Sequence, residues 1–106
     1  MAASLDRLQQ TIASRRKADP AQSYVARLFD KGRATIAQKV GEEAVETVIA
    51  AMAGDRKALV SESADLIFHL AVLLAEQDMT LDDVLAELDR REGVSGIAEK
   101  ASRNQD

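Results

Sequence analysis

The sequence has no cysteine, one proline, five glycines and three aromatic residues, one Tyr and two Phe. Without cysteine there is no disulfide frame, no thiolate zinc site and no thiol nucleophile, a pattern that fits a reducing compartment. Scarce proline and glycine, in a chain rich in Ala, Leu, Glu, Lys and Arg, favour helices over strands. So few aromatics leave the core to Leu, Val, Ile and Ala, within a composition that is 46% apolar. Long hydrophobic runs are also missing. The longest spans Leu66 to Ala75, interrupted by His69, well short of the ~18 apolar residues of a membrane span. The stretch from Met1 to Arg7 lacks the basic start and apolar run of a signal peptide. These absences predict a soluble, cytoplasmic protein with no membrane partner.

Positive charge is in short supply as well. Fourteen Lys+Arg against eighteen Asp+Glu give a net charge of −4, the wrong sign for a general nucleic-acid binder, so no nucleic-acid partner is expected. The charge is uneven: residues 1–40 carry +5 and residues 41–106 carry −9. A basic segment joined to an acidic body can bring a cation and a polyphosphate together, or the two halves can simply attract each other. The 106 residues suit one domain. Its core is expected over about 4–92, with a polar, partly disordered tail over 93–106. A chain of this size buries ~65% of its unfolded surface, enough for a modest core.

Periodicity and stop signals predict about five helices and an all-α bundle. Ser4 is a candidate cap for a first helix reaching about Ala18, with Leu5, Leu8 and Ile12 on one face before Asp19-Pro20. Ser23 caps a short second helix that closes near Gly32. The third runs from about Ala34 to Ala53, with Gly54 in the stop position. Asp55 caps the fourth, from Arg56 to about Gln77, and Thr80-Leu-Asp-Asp83 resembles a capping box opening a fifth that ends before Gly93. Apolar residues from Leu59 to Leu74 cover nearly the whole circumference of the fourth helix. A helix apolar all round is buried on all sides, which one chain of five short helices can hardly achieve. The expectation is an intertwined homodimer or higher even oligomer; the alternative is a central helix in a monomeric bundle.

The acidic residues carry the chemistry. Glu43 and Glu46 on the third helix, and Glu62 and Asp65 on the fourth, are each three apart and project from one face. The turn at Gly54-Asp55 lies between the pairs, so antiparallel packing would set them opposite each other. Four carboxylates among Ala44, Val45, Val48, Ile49, Ala64, Leu66 and Ile67 either take up protons or bind a cation. Oxygen donors without His or Cys suit a hard ion such as Mg²⁺ or Mn²⁺, which uses phosphates as further ligands. The plainer reading is a solvated face, with Lys39 forming a surface ion pair with Glu43. Spacing alone leaves both open.

Glu42-Glu43-x-x-Glu46 followed by Glu62-x-x-Asp65 matches the signature of the MazG-like all-α nucleotide pyrophosphohydrolases. Within that superfamily the chain most resembles the phosphoribosyl-ATP pyrophosphatases of histidine biosynthesis. The supporting stretches are Ser23-Tyr-Val-Ala-Arg-Leu-Phe29, Lys39-Val-Gly-Glu-Glu-Ala44, Gly54-Asp-Arg56, Glu62-Ser-Ala-Asp-Leu66 with His69, and Leu81-Asp-Asp-Val-Leu85. They extend in order over about 21–92. The resemblance implies Mg²⁺-dependent hydrolysis of the α–β phosphoanhydride of phosphoribosyl-ATP, with Mn²⁺ a substitute. By position it implies Glu43, Glu46, Glu62 and Asp65 as metal ligands. Glu42 would support them, hold a second ion or orient water.

For substrate phosphates, Lys39 is the first candidate, one turn before Glu43; Arg27, Lys31 and Arg33 precede the acidic helix. Each is otherwise a solubilising surface charge. Tyr24 can stack on a base or ribose, or serve as core with Leu28. His69, between Phe68 and Leu70, reads as an interior hydrogen-bonded histidine orienting Asp65, the alternative being an acid–base role. A chain of this length leaves no room for the cyclohydrolase often fused to this activity, so a separate phosphoribosyl-AMP cyclohydrolase is the expected recipient of product. Two rival readings share the sequence: a house-cleaning nucleoside triphosphate pyrophosphohydrolase, and a non-catalytic helical dimerisation module.

Overall fold

The computed structural model describes residues 2–93 together with Lys100 and Arg103. Among these the architecture is all-α: α1 (Ala2–Arg15), α2 (Tyr24–Lys31), α3 (Arg33–Met52), α4 (Arg56–Glu76) and α5 (Leu81–Arg91). The expected tail over 93–106 lies, apart from Gly93, Lys100 and Arg103, outside the described residues.

The first helix departs from expectation at both ends. It already includes Ala2, so Ser4 is not its cap; the Ser4 hydroxyl accepts instead from the Arg7 guanidinium at 3.2 Å. It also stops at Arg15 rather than near Ala18. Proline disfavours helical backbone in the residue before it, and Asp19 starts a turn in which its carbonyl accepts from Gln22 and Ser23. The other helices keep their expected limits to within a residue. Ser23 Oγ accepts from the Ala26 N–H at 3.2 Å, and Asp55 Oδ1 from the Ala58 N–H at 3.0 Å.

The sharpest local feature is the turn between α3 and α4. Gly54 takes φ 72°, a left-handed conformation that costs an L side chain roughly 1–2 kcal/mol. Its N–H bonds the Ala51 carbonyl, and the Asp55 N–H reaches back to Ala50, the two bonds of a Schellman closure. Asp55 thus ends one helix with its backbone and opens the next with its carboxylate. The result is an antiparallel hairpin, and most of the tertiary contact lies between its two arms.

The core covers only one end of that hairpin. Ile12 from α1, Val25 and Leu28 from α2, Ile36 from α3, Ala71 and Val72 from α4, and Leu81 form the buried cluster. Arg16 fastens α1 onto the exit of α4: Nη1 donates to the Ala75 carbonyl at 2.9 Å and lies 3.5 Å from Asp78, while the guanidinium sits over the Phe29 ring. A helix C-terminus leaves carbonyls unsatisfied and carries partial negative charge, which suits a cation there. Arg33 bonds Glu76 at 2.5 Å near the same end, and the Leu81 N–H donates to Gln9 at 2.6 Å.

The turn end is bare. Val45, Val48, Ile49, Met52 and Val60 are exposed, Met52 at 83% and Val60 at 72%. The radius of gyration is 15.9 Å, against about 13 Å for a compact chain of this length. Over an 18-residue window α4 reaches a mean hydropathy of 1.7, the apolarity of a membrane span, because Ala, Leu and Val outweigh its acids. Here its second half is core, with His69, Ala71 and Val72 buried.

Replacing Gly54 by Ala should lower stability by about 1–2 kcal/mol, read as a shifted denaturant midpoint at unchanged slope. A neutral substitution would contradict the left-handed closure.

Candidate metal centre

Glu43 and Asp65 each stand eleven residues from Gly54, and Glu46 and Glu62 each stand eight. At 1.5 Å per residue those are about 16 and 12 Å along the two arms. A tight antiparallel turn therefore brings the four to matching heights, and the spacing of three keeps each pair on one face. Glu43, Glu62 and Asp65 each present an oxygen, and these oxygens lie within 4.8 Å of one another. Glu46 stands outside that group and is exposed, yet it raises the proton affinity of both Glu43 and Glu62.

Among the described residues, Glu43 Oε2 and Glu62 Oε2 are buried and have no hydrogen-bond partner. Ionised carboxylates only accept hydrogen bonds, so two that face each other need a proton between them or a cation beside them. The titration behaviour reflects this. Glu62 is pushed up to about 7, first by its encounter with the Glu43 carboxylate, then by Glu46, burial and the surrounding negative charge. Glu43 is also raised, mainly by burial, with Glu46 and Asp65 adding to the effect. Its contact with Glu62 works the other way, as it must when Glu62 holds the shared proton and Glu43 accepts it. A divalent cation satisfies the same oxygens without that proton. An oxygen-only donor set fits a hard ion of the Mg²⁺ or Mn²⁺ type.

The remaining candidates separate into two groups. Lys39 Nζ lies 4.0 Å from Glu42, so the pair forms between residues three apart, not with Glu43. Arg27 donates from Nε to the Pro20 carbonyl at 3.2 Å, and Lys31 is exposed. Arg33 is drawn off to Glu76, which holds its guanidinium more strongly protonated while the Glu76 carboxyl drops below its ordinary range. That pair stands ten residues up α3 from Glu43, about 15 Å away along the axis. Here an ion pair that fastens the core end occupies a side chain that the sequence offered for phosphate. A cavity of about 330 Å³ lies at that end too, lined by Ile12, Arg16, Phe29, Ala71, Ala75 and Met79; the carboxylates do not open into it.

Tyr24 is neither core nor free. It is 45% exposed, its ring stacks on Phe68 with centroids 6.0 Å apart, and its hydroxyl lies 2.8 Å from His69 Nε2. His69 is buried, with Nδ1 2.8 Å from the backbone carbonyl of Asp65. The histidine thus reaches the Asp65 main chain rather than its carboxylate. Sequence reasoning missed the Tyr24–His69 bond, since the two residues lie 45 positions apart on separate helices. Their shared apolar neighbour Phe68 was the only available signal.

The sign of the pH dependence follows from Glu62. A carboxyl that binds its proton more tightly when folded stabilises the fold at low pH, and that contribution is lost as pH rises through the folded value. For Glu62 the window runs from the ordinary 4.5 to about 7. Glu87, held at about 2 by Arg90 and Arg91, contributes stability that disappears only below 4.5, outside that window. Without divalent ions, the denaturation midpoint should therefore rise on acidification from about pH 7 to 5, and Glu62→Gln should flatten this slope. A wild-type slope equal to the variant's would contradict the shared-proton geometry.

The model of the family "phosphoribosyl-ATP pyrophosphohydrolase" matches residues 5–92. The chain is 68% identical over 103 residues to the phosphoribosyl-ATP pyrophosphatase of Rhizorhabdus wittichii, covering 97% of each chain. It is 69% identical over 100 residues to that of Novosphingobium aromaticivorans, covering 94% of each. The corresponding protein of Zymomonas mobilis is 66% identical over 96 residues, 91% of this chain and 90% of the relative. Helices α2 to α5, with every carboxylate of the centre, fall inside the matched region. With the whole acidic hairpin and nearly all of the chain accounted for, the protein belongs to the phosphoribosyl-ATP pyrophosphohydrolase family.

Proposed function

We propose that this chain hydrolyses the α–β phosphoanhydride of phosphoribosyl-ATP, giving phosphoribosyl-AMP and pyrophosphate, the second step of histidine biosynthesis. The observation that carries the reading is the pair of neighbouring carboxylates, Glu43 and Glu62, each with a buried oxygen that has no hydrogen-bond partner among the described residues. Structural carboxylates are normally paired or solvated; these suit an ion brought by, or shared with, a polyphosphate. Glu43, Glu62 and Asp65 would hold Mg²⁺, with Mn²⁺ a substitute, and Glu46, just outside their group, would be the fourth ligand. When bound, the ion neutralises phosphate charge and stabilises the departing pyrophosphate.

The chain's own groups do the rest. Lys39, with Glu42 as its partner, stands one turn from Glu43 and meets phosphate oxygens as a point charge. Arg27 and Lys31 are further candidates for phosphate contact, whereas Arg33 serves the fold through Glu76. Glu42 steers Lys39. Water adds directly across the anhydride, so no covalent enzyme intermediate forms, in keeping with a sequence that has no cysteine. The product passes to a separate cyclohydrolase in the cytoplasm.

The same reading includes a homodimer or higher even assembly built on the bare end of the hairpin. Val45, Val48, Ile49, Met52 and Val60 form an exposed apolar group beside the acids, and burying such surface is worth about 25 cal/mol per Å². A second copy would cover it and close the open side of the carboxylate cluster. Sedimentation at micromolar concentration should give an even oligomer, and Val48→Glu with Ile49→Glu should give a folded monomer. A monomeric wild-type chain would overturn the assembly.

The functional test is pyrophosphate release with Mg²⁺ from phosphoribosyl-ATP, compared with ATP and the deoxynucleoside triphosphates. Phosphoribosyl-ATP should be strongly preferred. Glu43→Gln and Asp65→Asn should remain helical yet lose about 10²-fold or more in metal-dependent turnover. Preference for an ordinary triphosphate would shift the function to nucleotide clearance. No release from any of them would leave a non-enzymatic helical module.

A further inference from the structure

For a neutral imidazole, the contacts of His69 give the Tyr24–His69 bond one direction. His69 Nδ1 lies 2.8 Å from the Asp65 carbonyl oxygen, and a carbonyl can only accept. Nδ1 therefore carries the ring proton. In the neutral imidazole Nε2 is then a lone pair, so the Tyr24 hydroxyl at 2.8 Å must donate to it. Tyrosine has one hydroxyl proton, and against the neutral ring that proton points inward. What Tyr24 offers to the outside is acceptor capacity alone.

The pair also stands beside the carboxylates. Glu62, Asp65 and His69 are spaced by three and four residues on α4, so they share one face, with His69 about one turn beyond Asp65. Tyr24 lies over that turn, nearly half exposed, with its ring plane held by Phe68 at 22°. The Tyr24 and Phe68 rings both stand nearly perpendicular to the His69 imidazole, at 89° and 82°, which leaves the phenol little freedom to turn its hydroxyl elsewhere.

We propose that Tyr24 is a specificity-determining residue, whose oxygen accepts a hydrogen bond from a sugar hydroxyl or base amino group of the substrate. His69 sets its polarity. The inference rests on the enzymatic reading above and deepens it. Phosphate oxygens are acceptors and gain nothing from an acceptor-only phenol, whereas the nucleoside and phosphoribosyl parts carry donors. The face of α4 would then be divided by chemistry: carboxylates for the cation that accompanies the phosphates, and the phenol oxygen for the part of the molecule that distinguishes it from a bare polyphosphate.

The test uses the full chain with Mg²⁺. Tyr24→Phe keeps the ring on Phe68 and removes only the hydroxyl. It should raise KM for phosphoribosyl-ATP about two- to tenfold, the range of one neutral hydrogen bond, with kcat changed less than about twofold. Inhibition by inorganic tripolyphosphate, which has the phosphates but neither the sugar hydroxyls nor the base amino group, should be unchanged. Weaker tripolyphosphate inhibition in the variant, or an unchanged KM, would overturn the proposal. A second readout needs no variant: nitrogen-detected NMR of wild-type His69 should show the neutral ring protonated on Nδ1, and a proton on Nε2 would overturn it. Wild-type protein that releases no pyrophosphate from phosphoribosyl-ATP would end the enzymatic reading itself, a result separable from a normal wild type with an unaffected Tyr24→Phe.

Discussion

Two carboxylates that face each other with no donor between them are the constraint around which this fold is arranged. Glu43 and Glu62 sit on opposite arms of one hairpin, and each has an oxygen removed from water and unbonded. Left alone, the encounter opposes folding with both groups ionised: burial and the neighbouring acids raise the proton affinity of both, and Glu62, facing Glu43, is raised most clearly. The hairpin holds them there by local means. The left-handed Gly54 and the doubly used Asp55 set the register of the arms. At the far end the core of Ile12, Leu28, Ile36 and Val72 keeps the arms from separating. Arg16 and Arg33 anchor the same end by satisfying the exit of α4 and the Glu76 carboxylate.

That division of labour sets the core at one end of the hairpin and the acidic cluster midway along it. The core end is closed by α1 and α2, while the turn end carries exposed Val48, Ile49 and Met52 beside the acids. A chain this small has too few helices to cover both. Apolar surface at the turn end and unsatisfied carboxylates midway along the hairpin are therefore linked: a second copy laid on the hairpin would cover the first and lower the dielectric around the second. A cation and its phosphates bind more strongly in such a setting than on an open face.

Much of this was legible in the residues because it is encoded locally. Gly54-Asp55, Ser23 and Asp55 are turn and cap signals whose effect extends over a few residues, and the structure places them as expected. The acidic pairs were readable because helical spacing and a hairpin turn leave few places for them to go; Glu43, Glu62 and Asp65 do meet. Glu46, equally well spaced, stands outside the tightest group, since rotamer choice at an exposed position is not written in spacing. Long-range polar pairings were invisible. Nothing near Arg33 in the sequence announced its pairing with Glu76, 43 residues away, and the Tyr24 hydroxyl gave no sign of its partner. Ser4 failed as a cap because good helix formers precede it, so the helix begins before it can act.

The central claim is that Glu43 and Glu62 form a cation site, where Glu62 holds a proton more tightly when no cation is bound. Magnesium titrated into the protein at pH 7, with proton uptake or release followed in buffers of differing ionisation enthalpy, addresses it most directly. Binding should expel a fraction of a proton, since Glu62 titrates at about 7 in the absence of metal and a coordinating carboxylate must give its proton up. Glu62→Gln should abolish the release. Magnesium binding with no proton exchange, or none at all, would contradict the account.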